Sequence, residues 1–135
     1  MTTQRVEVGV VSGDRALVDF LIEVFELDEL EASEQRIGTV HRLQAPGTVI
    51  KVMVPKHAPS ARDREPFTSV AGLRYLTMFV SDLGGVIERA EARGGTVTLG
   101  PIELGPGARL AILEDPDGGT LEVVQAGSAG AASTT

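Results

Sequence analysis

The sequence predicts an α+β fold: two copies of one βαβββ module forming a curved mixed sheet around a shared cleft. Three observations carry this expectation. Alternating apolar and polar residues, the period of a half-buried strand, are interrupted twice by apolar residues at helical spacing. The element order β, α, β, β, β occurs twice. Glu7-Val8-Gly9-Val10-Val11-Ser12-Gly13-Asp14 aligns without gaps to Tyr75-Leu76-Thr77-Met78-Phe79-Val80-Ser81-Asp82, and the ending Ile50-Lys51-Val52 is echoed by Leu121-Glu122-Val123. An offset of about 70 residues is longer than a solenoid repeat and reads as duplicated supersecondary structure.

The first strand is read over 5–12, with Val6, Val8 and Val10 on one face and Glu7, Gly9 and Val11 on the other. Ser12-Gly13-Asp14 turns the chain and offers a cap to a helix over 15–26, whose apolar stripe is Leu17, Phe20, Leu21, Val24 and Phe25. A short polar strand at 27–32, a strand at 37–43, the turn Ala45-Pro46-Gly47 and a β-branched strand at 48–54 complete the module. Residues 55–71, with Pro55, Pro59 and Pro66, form a linker long enough to fold over a site. The second module runs from a strand at 73–81, with Leu76, Met78 and Val80 opposite Tyr75, Thr77 and Phe79. Ser81-Asp82 caps a helix carrying Leu83, Val86, Ile87 and Ala90, which Gly94-Gly95 stops. A short strand at 96–99 ends at Gly100-Pro101. A strand follows at 108–114, then the turn Asp115-Pro116-Asp117-Gly118-Gly119 and a last strand at 120–125. The expected organisation is a single domain over 1–125 (module 4–54, linker 55–71, module 72–125) with a disordered Gly/Ala/Ser/Thr tail at 126–135.

Composition narrows the function. The chain of 135 residues has no cysteine, so disulfides, thiolate metal sites and cysteine nucleophiles are absent. A net charge of −7 disfavours nucleic acid, whose phosphates call for clustered Lys and Arg. The start lacks a basic region leading into an apolar stretch, and no apolar run approaches the roughly 18 residues of a membrane span. These features point to a cytoplasmic protein without membrane contact. No P-loop and no serine-centred nucleophile elbow is present.

Asp115-Pro116-Asp117-Gly118-Gly119-Thr120-Leu121-Glu122-Val123, with Val80-Ser81-Asp82-Leu83 opening the second helix and Ala16-Leu17-Val18-Asp19-Phe20 in the first, resembles the vicinal oxygen chelate superfamily of glyoxalases, bleomycin-resistance proteins and extradiol dioxygenases. The resemblance spans about residues 4–125. It departs in the first helix, where the family's Tyr and Leu-Gly are replaced by Leu21 and Phe25-Glu26. It implies a homodimer and a cleft lined by four marked positions, which map to Glu7, Lys51, Tyr75 and Glu122. The period-2 reading agrees: Glu7 and Tyr75 sit opposite the Val6/Val8 and Leu76/Met78 faces, Lys51 lies between Ile50 and Val52, and Glu122 between Leu121 and Val123. Aligning on Gly47-Thr48 and Gly119-Thr120 would instead set Ile50 opposite Glu122. Lys51 is preferred because a one-residue slip turns the apolar face outward. The duplication then sets Glu7 with Tyr75 and Lys51 with Glu122.

Metal-binding members of that superfamily present His, Gln and Glu at these positions. Glu7 and Glu122 would serve a divalent ion, Tyr75 weakly, and Lys51 is a cation where a ligand belongs. Like charges about 4 Å apart repel by roughly 4 kcal/mol at an effective dielectric of 20, and a divalent ion roughly doubles that. The expectation is therefore no metal and no cofactor. The first function expected is an isomerase or lyase acting by acid–base chemistry next to a carbonyl, with Glu7, Lys51, Tyr75 and Glu122 as its catalytic set. A non-catalytic binding protein of the resistance type, a divalent-metal enzyme using Glu7 and Glu122, and a degenerate fold kept for assembly are the alternatives. In the same way, Glu7–Lys51 and Lys51–Glu122 can be read as ion pairs with no chemical role. His41, Met53, Phe79 and Arg109 are candidates for contacting the small-molecule ligand, Arg109 through a carboxylate. His57, in the linker, is read as solvated.

Overall fold

The computed structural model describes residues 2–127. Two compact units divide between Ala61 and Arg62, inside the proline-rich stretch. Each unit holds one mixed, open, four-stranded sheet and one helix.

In the first unit the elements are β1 (Val8–Val11), α1 (Ala16–Phe25), β2 (Asp28–Glu34), β3 (Gly38–Ala45) and β4 (Thr48–Pro55). The sheet order is β1-β4-β3-β2, with β1 parallel to β4 and the other pairs antiparallel. Leu17, Val18, Phe20, Leu21 and Val24 of α1 are buried together with Leu43, Ile50 and Val52, so one sheet face is covered by the helix. Asp14 Oδ1 accepts the Ala16 N–H at 2.8 Å just ahead of the helix, whose N-cap residue is Arg15, without a side-chain cap bond of its own. Arg15, at the helix entry, is tied by both terminal guanidinium nitrogens to the carboxylate of Glu29 on β2, at 2.8 and 2.6 Å. Pro46 and Gly47 (φ 82°) make the β3–β4 hairpin.

The second unit repeats the design with β5 (Tyr75–Val80), α2 (Leu83–Ala92), β6 (Thr96–Gly105), β7 (Ala108–Glu114) and β8 (Thr120–Gln125), in the order β5-β8-β7-β6. Leu83, Val86 and Ala90 of α2 are buried together with Ala111, Leu113, Leu121 and Val123. The Asp82 side chain accepts the Gly85 N–H at 3.1 Å, and Gln125 Oε1 accepts the Leu83 N–H at 2.8 Å. The helix stops where Gly94 takes φ 90° and the Gly95 N–H returns to the Ala90 carbonyl.

Several boundaries differ from the sequence-based expectation. β1 is four residues long, because Val6 is held by its carbonyl accepting the Thr48 hydroxyl (2.6 Å) instead of by a ladder. β2 starts one residue late, with Leu27 buried, and reaches Glu34 past a bulge between Leu30 and Ser33. β6 does not end at Gly100-Pro101. It continues to Gly105 with register shifts on both sides of the cis Gly100–Pro101 bond. β6 is an edge strand, where a proline without N–H can face outward. Gly100 (φ 85°) is required there, since a Cβ would come within 2.6 Å of the Leu110 carbonyl oxygen. Residues 62–71 belong to the second unit. Arg64 pairs with Glu114 (3.1 Å), and Phe67 meets Tyr75 edge-on (5.4 Å). Of the expected tail, Ala126 and Gly127 are described, and Gly127 is buried against the Pro106 carbonyl. Residues 128–135 lie outside the described residues.

The β7–β8 turn rests on Asp115, whose Oδ1 accepts the N–H groups of Asp117 and Gly119, both at 2.9 Å. Burial pushes its carboxyl above the ordinary 3.8, against the opposing pull of those two bonds. Asp115→Ala should cost about 1–3 kcal/mol in urea unfolding, because two turn N–H groups lose their acceptor. Asp115→Asn keeps an acceptor and carries no charge. The folded parent holds its proton above the unfolded value, so the parent loses stability as pH rises through that interval. The stability difference should therefore move in favour of the Asn variant between about pH 3 and pH 7, and an unchanged difference would refute the assignment.

Arg15 holds the Glu29 carboxyl below the ordinary 4.5 through its hydrogen bonds. The pair's contribution is then complete above that value and lost as pH falls through the folded one. Both side chains are partly exposed, so the contribution is about 0–1 kcal/mol. Glu29→Gln should flatten the acid side of the stability curve, read as unfolding midpoints between about pH 5 and pH 3.

Candidate functional site

Paired residues in a sheet share a face, so the registers sort every candidate. In the first unit Val8, Ile50 and Leu43 align in one row and Val10, Val52 and His41 in another, both on the helix-covered face. The rows between them, Gly9–Lys51–Arg42 and Val11–Met53–Val40, lie on the helix-free face. Glu7 precedes β1 by one residue. Extending the register sets it beside Val49, whose β3 partner is Gln44.

In the second unit the matching rows are Leu76–Leu121–Leu113 on the helix side and Thr77–Glu122–Ile112 on the helix-free side. Lys51 pairs with Gly9 as Glu122 pairs with Thr77, while Ile50 and Leu121 are each almost completely buried. The equivalence of Lys51 with Glu122, rather than of Ile50, is therefore written in the backbone pairing.

Glu7 is the centre of a charge cluster on the helix-free face of the first unit. Its Oε2 lies 2.9 Å from Arg5 Nη2 and 3.9 Å from Arg42 Nη2, and its Oε1 lies 3.9 Å from Lys51 Nζ. The Glu7 side chain is 15% exposed, and Oε2 is buried without an aligned hydrogen bond. A cavity of about 230 Å³ opens beside it, lined among others by Arg5, Glu7, Arg42, Gln44 and Thr48. Sequence reading missed Arg5 and Arg42. Arg42 alternates with His41 and Leu43 and could have been found by carrying the period-2 count into β3.

The other candidates separate by face. Met53 and Phe79 share the helix-free faces with Lys51 and Glu122 respectively, and Phe79 is 63% exposed. Tyr75 is exposed, and its ring meets Phe67 edge-on. Glu122 accepts a hydrogen bond from the Thr77 hydroxyl at 2.8 Å. His41 and Arg109 are placed differently. His41 pairs with Val52 on the helix-covered face, where its Nδ1 is buried 4.0 Å from Glu29. Arg109 pairs with Gln125, on the α2 side, and lies 3.6 Å from Glu103. Neither belongs with the carboxylates and cations of the helix-free faces, because each is an odd number of residues out of phase along its strand.

The donor set around Glu7 does not fit a divalent cation. Three cations stand within 4 Å of its carboxylate, and Lys51 and Arg42 carry no lone pair at neutral pH. Among the described residues no group of three His, Asp or Glu is placed to hold a metal ion.

The model of the Glyoxalase/Bleomycin resistance protein/Dioxygenase superfamily matches residues 7–123. The chain belongs to this superfamily. Solved members share its fold at low identity. A glyoxalase family protein from Bacillus cereus superposes with a TM-score of 0.74 at 15% identity, covering 93% of this chain and 95% of its own. The fosfomycin resistance protein FosX from Listeria monocytogenes, solved with Mn(II) and 1S,2S-dihydroxypropylphosphonic acid, gives 0.70 at 16%, with 95% of each chain covered. A superfamily enzyme from Burkholderia phytofirmans gives 0.65 at 18%, covering 88% of this chain and 95% of its own. No curated protein matches the sequence. The match begins at Glu7 and ends at Val123, within β8.

The face assignment is testable without a substrate. Lys51→Met should change stability by less than about 1 kcal/mol, whereas Ile50→Ala should cost about 2–5 kcal/mol in urea unfolding. Equal costs would mean that Lys51 is the buried residue of the pair.

Proposed function

We propose that this superfamily member is a small-molecule enzyme of isomerase or lyase type that moves a proton next to a carbonyl without a metal. The observation that carries the proposal is the Glu7 carboxylate, largely buried, at the wall of a cavity and within 4 Å of Arg5, Arg42 and Lys51. A carboxylate held at a cavity wall can take a proton from carbon. The electron pair released from the C–H bond moves to the carbonyl oxygen, where Lys51 and Arg42 stabilise the developing negative charge. The proton then returns to a neighbouring atom, which is isomerisation, or a leaving group departs with the electron pair, which is elimination. Tyr75 and Glu122 hold the corresponding positions on the helix-free face of the second unit and are its own candidates for acid–base chemistry.

The test is proton exchange. Protein stripped with a chelator is incubated in D₂O with a panel of small 2-oxo acids and 2-hydroxyaldehydes, and deuterium incorporation next to the carbonyl is followed by NMR. Exchange is expected to survive the chelator. Glu7→Gln should lower it by about 10²–10⁴-fold, the usual contribution of a positioned base. Exchange that requires added metal, or that is indifferent to Glu7, would overturn the proposal.

A non-catalytic binding protein is the second reading. It is favoured by the aromatic surface of the second unit, where Phe67 meets Tyr75 and Phe79 is exposed. Stoichiometric retention of a panel compound without exchange would select it.

A further inference from the structure

We infer that the helix-free face of the first unit is an oxyanion site, and that the ligand of this protein carries a compact carboxylate or phosphate-like group. The inference rests on the reading of Glu7 and its neighbours as the ligand site, and extends it to the chemistry of the ligand. In a chain of net charge −7, Arg5, Arg42 and Lys51 gather within 4 Å of a single carboxylate. One ion pair needs one cation. Two positive charges remain uncompensated in the cluster, and gathering them on one sheet face costs repulsion unless an anion offsets it. The one further carboxylate that the register adds to the Glu7–Val49–Gln44 row is Asp28, at the opposite edge beyond Gln44.

The duplication supplies an internal control. The positions of the second unit that correspond to Gly9, Lys51 and Arg42 are Thr77, Glu122 and Ile112, which carry one negative charge and no cation. The fold itself therefore does not require cations here. They have been placed on one of two equivalent surfaces.

Geometry sets the size of the anion. Arg5 and Arg42 line the cavity beside Glu7, and Gln44 and Thr48 add polar groups to its wall. Its volume of about 230 Å³ is below the range of about 300–1,000 Å³ typical of drug-sized ligands, which suits a small organic anion. Arg42 offers the planar fork that matches two oxygens of a carboxylate or phosphate, and Lys51, not itself part of the cavity wall, adds a point charge 3.9 Å from Glu7. Glu7 competes with the ligand for the same cations. This gives the site an unusual signature: removing that carboxylate strengthens anion binding.

Inorganic phosphate and malonate serve as separate probes, titrated into the intact protein in low-salt buffer and followed by amide NMR shifts. At least one should saturate with a Kd near ~1 mM or tighter, and the one that does identifies the oxyanion. Binding should weaken with added NaCl, since the cations are partly exposed. Arg42→Met and Lys51→Met should each weaken it about tenfold, and Glu7→Gln should tighten it several-fold. Glu88→Gln, which removes an equal charge from the exposed side of α2, should leave it unchanged. Circular dichroism of each variant confirms folding, and the tightening by Glu7→Gln cannot arise from misfolding. Absence of saturation with both probes, or weaker binding in Glu7→Gln, would overturn the inference. Saturable binding without deuterium exchange would leave the oxyanion site standing and remove the acid–base reading. Exchange on an uncharged aldehyde without anion binding would do the reverse.

Discussion

Everything in each unit depends on the pairing of its first strand with its last. β1 lies parallel to β4, and β5 to β8, in the same register. That register sets Val8 on Ile50 and Leu76 on Leu121, and the helix packed on these rows takes them out of water. Burial of such side chains stabilises by about 1.5–3 kcal/mol each, so a one-residue slip, which would expose the whole row, is strongly disfavoured. The chemistry of the other face is a consequence. With Ile50 and Val52 committed to the helix, Lys51 must project from the opposite side; with Leu43 committed, so must Arg42. The charge cluster around Glu7 is held in place by apolar residues committed to the other face of the sheet.

The two units show how a duplicated scaffold diverges. Their backbones agree in sheet order, in parallel and antiparallel pairing and in the place of the helix. Their helix-covered rows also agree in character. The helix-free rows do not: the first unit carries Glu7, Lys51 and Arg42 where the second carries Tyr75, Glu122 and Ile112. Core rows are constrained by packing, whereas a face without a helix is free to vary in charge. The segment 62–71 adds to the contrast, since Phe67 and Arg64 settle on Tyr75 and Glu114 of the second unit.

Much of this was legible in the chain. Both helices, the strands at 108–114 and 120–125, the Asp82 cap and the Asp115 turn stood where periodicity and turn chemistry put them, because each is a local preference. β6 was not legible. Gly100-Pro101 is an ordinary strand-ending signal, and the strand continues because it lies on an edge, which is a property of the sheet and not of the dipeptide. Alternation gives Glu7 and Lys51, and in the second unit Glu122, their faces; it gives Arg5 and Arg42 theirs too, but not the approach of Arg42 to Glu7. Arg42 comes near Glu7 only through β4 lying between their strands.

The sequence by itself determined the duplicated βαβββ order, the residues that must be buried, and hence which side chains of β1, β4, β5 and β8 are turned away from the helices. These follow from periods of 2 and 3.6 residues that any stable packing must respect. The tertiary structure alone decided which strands are neighbours. Neighbouring strands, about 4.8 Å apart, bring side chains distant in sequence to within ion-pair range. Pairing β1 and β3 on either side of β4 gathered Arg42 and Lys51 around Glu7. The same alternation set His41 and Arg109 on the opposite faces, away from that chemistry.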